Sequence, residues 1–184
     1  MSDMILPVTL VAAFALVVIA MVNTLIRRKN EVAFAFSSID AQLKKRYDLI
    51  PNLVAVAERY MGYEQGVLAD ITALRAKAAA GNLDIGEQVD IDNAMGKTLR
   101  TLFAVAENYP ALQASGPFLH LQASLNEVEE QLAASRRAFN AAVTAYNNGC
   151  EMFPLNIIAG FMGYKQKPWF VIPEEERQPV RVWR

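Results

Sequence analysis

The sequence has 184 residues, 53% of them hydrophobic, with 18 Lys and Arg against 19 Asp and Glu for a formal net charge of −1. That length fits one domain plus an anchor, and the charge balance gives no global pull toward nucleic acid. The only cysteine is Cys150 and the only histidine His120, which excludes an intrachain disulfide, a cysteine-based zinc site and a multi-histidine centre.

From Met4 to Ile26 the chain carries no charge, and about 20 apolar residues cross a bilayer as a helix. A cleaved signal peptide would want a basic start, but only Ser2 and Asp3 precede the apolar run. The run is also long for a signal peptide's apolar region, so it reads as an anchor. Arg27, Arg28 and Lys29 follow it directly. The positive-inside rule then places the N-terminus outside and the rest in the cytoplasm, although a basic trio can also serve as interfacial snorkelling residues. The chain divides into an anchor with its basic stop (1–29), a helical body (30–151) and an aromatic tail containing Pro and Gly (152–184).

The body steps at helical spacing through Val32, Ile39, Leu43, Tyr47, Ile50, Val54, Ala57 and Met61, then Leu68, Ile71 and Leu74. This phase predicts one helix ending at Gly81-Asn82, with Pro51 either kinking it or breaking it. Phase continuity favours the kink. A break would let Asp48 cap a new helix. A second helix is expected after Asp84, whose spacing to Glu87 is that of a capping box, and it should stop near Tyr109-Pro110. The third runs from Ser115-Gly116-Pro117 to about Gly149, with Phe118, Leu121, Leu125, Val128, Leu132, Phe139, Val143 and Tyr146 as its stripe. Such helices bury their stripes by packing together. The expected fold is all-α: a transmembrane helix followed by an antiparallel, up-and-down-like bundle of four long amphipathic helices.

The tail holds Phe161, Met162, Tyr164, Lys165, Lys167, Trp169 and Phe170. It is too short and too interrupted to span a membrane. It either covers an end of the bundle or lies at the lipid interface, where aromatics and lysines are favoured.

Chemistry needs a nucleophile with a base, or a metal with ligands. His120 reads as a surface or half-buried residue, and Cys150, beside Glu151, lacks the electropositive setting of a reactive thiol. Glu127 and Glu130 are helical neighbours but lack the Glu-x-x-His partner of di-iron bundles. No phosphate loop is present. Lys44-Lys45-Arg46 is flanked by Asp40 and Asp48 without an aromatic platform, so it reads as a structural ion cluster and not a nucleic-acid surface. No enzyme activity and no cofactor is expected. The unusual residues are polar groups beside apolar stripes: Asp40, Arg46, Asp48, Asn52, Asn108, Arg136, Arg137, Asn140 and Asn147. Buried polar groups cost free energy unless bonded, so these are expected to set helix register, with Asp40 or Asp48 pairing Arg136 or Arg137.

The segment Ile-Asp-Ala-Gln-Leu-Lys-Lys-Arg-Tyr-Asp-Leu-Ile-Pro-Asn-Leu-Val (39–54) resembles the signature of the LemA family. So do Ala-Val-Ala-Glu-Asn-Tyr-Pro (104–110), Ser135-Arg-Arg-x-Phe-Asn140 with Tyr146-Asn147, and Phe153-Pro154 with Ile157-Ile-Ala159. Phe139 stands where the family often has tyrosine, keeping the ring and losing the hydroxyl. The resemblance implies a bacterial membrane-anchored helical bundle with a cell-envelope or membrane-organising role and no established enzyme activity. It also implies a partner, since members are often encoded near membrane-anchored TPM-domain proteins. The expectation is a self-associating scaffold of the inner membrane that contacts lipid, or an adaptor presenting the bundle and tail to another membrane protein.

Overall fold

The computed structural model describes residues 2–62, 64–81 and 85–170. All regular structure among them is helical, with no strand: α1 (Ser2–Glu58), α2 (Gln65–Ala79), α3 (Ile85–Ala106), the single turn α4 (Pro110–Gln113), α5 (Gly116–Glu151) and α6 (Leu155–Phe161). The chain forms two compact units, and α1 and α5 contribute to both.

The first unit takes Met1–Ser38 and Ser135–Trp169. Here α1 and α5 pack antiparallel. Phe36 meets Phe139 with ring centroids 5.8 Å apart, and further back Arg28 Nη1 donates to the Ala145 carbonyl at 2.9 Å. Leu25, Val32, Ala35, Phe139, Val143 and Tyr146 are buried, the i, i+3/i+4 pattern that a helix pair requires. Upstream of Val18 the helix is exposed throughout its described positions, including Val8, Leu10, Val11, Phe14 and Leu16 at more than 60%. Ser2–Glu58 thus includes a helix long and apolar enough to cross a membrane.

The second unit contains Ile39–Ala134. Its core joins Ile50, Leu53, Ala57 and Met61 to Leu68 and Ile71 of α2, Met95, Leu99 and Leu102 of α3, and Phe118, Leu121 and Leu125 of α5. Phe103 and Phe118 pack edge to face at 6.0 Å, a favoured aromatic geometry.

The first body helix neither breaks at Pro51 nor runs on to Gly81. It is helical through Pro51, stops at Glu58, and resumes as α2 at Gln65. The last turn closes with the Tyr60 and Met61 amides on the Ala57 carbonyl, at 3.0 and 2.9 Å, before Gly62. Apolar phase alone could not show this, because Met61 remains buried on the core side of the turn. The turn folds α2 back along α1, bringing Arg75 to Tyr47. α2 ends as expected at Gly81, whose φ of +74° is the left-handed conformation that suits glycine after a helix. The Asp84 capping box and everything after Phe170 lie outside the described residues.

Candidate functional site

Two constellations stand out, one in each unit. In the first, the tail turns at α6 and returns along α5. Gly163 has φ +66°. Its amide bonds the Gly160 carbonyl at 3.2 Å while the Tyr164 amide bonds Ala159 at 2.9 Å, the paired closure of a Schellman motif. The returning strap is then fixed by side chains of α5. Asn147, buried, donates from Nδ2 to the Lys167 carbonyl at 2.9 Å and accepts the Lys167 amide on Oδ1 at 2.9 Å. Trp169 Nε1 donates to Thr144 Oγ1 at 3.0 Å, and Gln166 Nε2 donates to Glu151 Oε1. One asparagine amide therefore stands in for a strand's donor and acceptor. Lys29 Nζ sits 4.9 Å from the Tyr164 ring centroid and Lys167 Nζ 5.9 Å from that of Tyr146, within cation–π range. Tyr146 is pushed up to about 12, first by burial and then by its hydrogen bond with Cys150, the Cys150 charge and Tyr164.

Of the tail residues singled out from the sequence, Tyr164 and Lys167 are half-buried within this strap, Met162 is half-buried, and Phe170 is buried. Lys165 and Trp169 are exposed, and Phe161 is 88% exposed. Phe153, of the same aromatic tail, is exposed as well, and so is Met152, which sequence reasoning did not single out for this role. Helix α5 comes close to α1 because Gly149 has no side chain: a Cβ there would lie 3.0 Å from Arg28 Nη1 and 3.1 Å from Leu25 Cδ1. Of the basic trio, Arg28 therefore turns into the protein, while Arg27 stays exposed 3.8 Å from Glu31.

In the second unit, Arg46 of α1 is the polar hub. Its side chain is 5% exposed, and Nη1 meets Asp92 Oδ1 of α3 at 2.7 Å while Nη2 meets Glu129 Oε2 of α5 at 2.9 Å. Gly96 makes room, since a Cβ would stand 3.3 Å from Nη2. One guanidinium thus ties three helices, as its planar fork permits. Lys45 adds an exposed pair with Glu127 at 3.5 Å. Asp92 escaped sequence reasoning, although its spacing of three from both Val89 and Met95 put a carboxylate in phase with an apolar stripe.

Asp40 and Asp48 are exposed and line a cleft of about 280 Å³ with Lys44, Tyr47, Arg75 and Gln88. Gln88 Oε1 is buried without a partner among the described residues. Asn52 and Asn108 are exposed, Asn140 is half-buried, Arg136 is buried within the α5 stripe and Arg137 is exposed. The pairing expected of Asp40 or Asp48 with Arg136 or Arg137 joins residues of different units and stays a proposal for a double-mutant cycle. His120 is exposed, and among the described residues no three His, Cys, Asp or Glu side chains gather as a metal site would require. The arrangement orders helices and presents apolar surface.

The chain is 25% identical over 192 residues to magnetosome protein MamQ 2 of Paramagnetospirillum magneticum, covering 91% of this chain and 71% of that one. It is 23% identical over 197 residues to magnetosome protein MamQ of Magnetospirillum gryphiswaldense, covering 89% and 72%. It is 26% identical over 170 residues to protein LemA of Metamycoplasma hominis, covering 92% and 78%. None of these names is that of an enzyme. The LemA family profile matches residues 35–183, nearly the whole body and tail, and the chain belongs to the LemA family.

Proposed function

We propose that this protein is a membrane-anchored, non-enzymatic scaffold of the bacterial cell envelope that self-associates and organises membrane or membrane proteins. The observation that carries the proposal is that a bare apolar helix and a packed helical body share the single element α1. Lipid is the solvent that stabilises the exposed leucine, valine and phenylalanine side chains. Arg27 and Lys29 support an orientation with the N-terminus outside and the body in the cytoplasm. The relatives named as magnetosome proteins support a structural role over a catalytic one. Light scattering on the full chain in mild detergent tests self-association: an oligomeric mass is expected, and a strict monomer contradicts it.

A second reading, an adaptor for another envelope protein such as a TPM-domain protein, is favoured by the strap, which leaves Lys165 exposed and Trp169 51% exposed. Deleting the strap then abolishes capture of that partner while the oligomer persists. Loss of both favours self-assembly alone.

A further inference from the structure

Only the first part of the apolar run is bare. Val18, Met21 and Val22 are half-buried and Leu25 is buried, a spacing that places them on one face of α1. The uncharged stretch 4–17, exposed at its described positions, rises about 21 Å at 1.5 Å per residue, short of the roughly 30 Å hydrocarbon core. The covered turns 18–26 must complete the span, so the protein packed on them enters the membrane boundary with them.

That protein is the base of the first unit. A Cβ at Gly149 would lie 3.1 Å from Leu25 Cδ1, only three residues separate the end of α5 from α6, and the strap reaches Lys29 at Tyr164. α6 is therefore tethered between points at the level of Leu25 and Lys29. Its Ala159 is buried inward, while Phe153, Ile157 and Phe161 are 80%, 49% and 88% exposed.

We infer that α6 and the turn before it form a second lipid contact, lying in the headgroup–acyl boundary beside the anchor with Phe153, Ile157 and Phe161 in the bilayer. A continuous lipid-facing surface with the anchor, together with the adjoining cations Lys29 and Lys165, fits a bilayer with anionic headgroups and not a polar protein groove. The inference rests on the anchor reading and deepens it.

The test places nitroxide labels at Ile157→Cys, Phe161→Cys, Val17→Cys and Leu119→Cys, each in a full-length Cys150→Ala background. The proteins are reconstituted in vesicles of phosphatidylcholine and phosphatidylglycerol. All four positions are at least half exposed or close to it, and Phe153→Cys gives an independent site if one variant misfolds. Collision rates with oxygen, which concentrates in lipid, and with a water-soluble nickel complex are compared. Ile157 and Phe161 are expected to fall between Val17 and Leu119, with an oxygen-to-nickel ratio several-fold above that of Leu119. Nickel access equal to that of Leu119 overturns the inference, as does shielding from both reagents, which would mean coverage by protein. A water-like Val17 instead overturns the anchor reading itself.

Discussion

Arg75 Nε lies 3.2 Å from the carbonyl oxygen of Tyr47, the residue four positions before Pro51. In an α-helix that carbonyl accepts the amide of residue 51, which proline does not have. The arginine of α2 supplies the donor that the proline of α1 lacks, and α1 continues as a helix through Pro51. Arg75→Ala is expected to lower stability by about 1 kcal/mol, the net worth of such a bond. In a Pro51→Ala background the backbone amide returns, so the same substitution costs less. Urea midpoints of the four detergent-solubilised chains give the coupling, and equal losses in both backgrounds contradict the assignment.

The Arg46 hub makes an asymmetric prediction. Asp92 is fully buried while Glu129 is about half exposed. Asp92→Ala, which takes from the buried guanidinium its fully buried partner, is expected to cost about 3–5 kcal/mol. Glu129→Ala should cost at most about 1 kcal/mol, as exposed pairs do. The double variant Arg46→Met with Asp92→Leu, which leaves no buried charge, should recover most of the first loss in thermal unfolding.

Close helix approach at Gly149 is checked by two alanines. Gly149→Ala puts a methyl against Arg28 and Leu25 and is expected to destabilise by about 1–3 kcal/mol. Gly66→Ala, inside α2 with open space around it, should instead be neutral or stabilise by up to about 1 kcal/mol. Calorimetric melting of both variants separates packing from propensity.

Tyr146 sets an alkaline limit on the strap. Its folded pKa is raised to about 12 from 10.0, so its neutral form is favoured by folding. That contribution is full below pH 10 and fades as pH rises through about 12. Ultraviolet titration should show a late-forming tyrosinate in the native chain that is missing from Tyr146→Phe. All tyrosines ionising together near pH 10 would contradict the burial of that phenol.

Much of this architecture was legible because apolar side chains recur at a helical period. Every stripe residue from Phe118 to Tyr146 assigned to the third long helix is buried, and the polar exception in that phase, Arg136, is buried with them. The break at 59–64 was not legible, since Met61 keeps its core contact while the backbone turns. Arg75 and Asp92 were missed for another reason. Their roles depend on partners distant in sequence, Tyr47 and Arg46, and local pattern carries no such pairing. In the tail, composition marked the segment as interfacial or packed, and the structure divides it: Tyr164–Lys167 lie against α5, while Phe153 and Phe161 face outward.

The central claim is that α1 anchors the body in a bilayer, and an alkaline carbonate wash of proteoliposomes tests it most directly. The full chain should stay with the vesicles, whereas Leu10→Arg with Leu16→Arg, at a cost of roughly 2.5–3.5 kcal/mol for each arginine placed mid-membrane, should be released. Release of the unaltered chain would contradict the account.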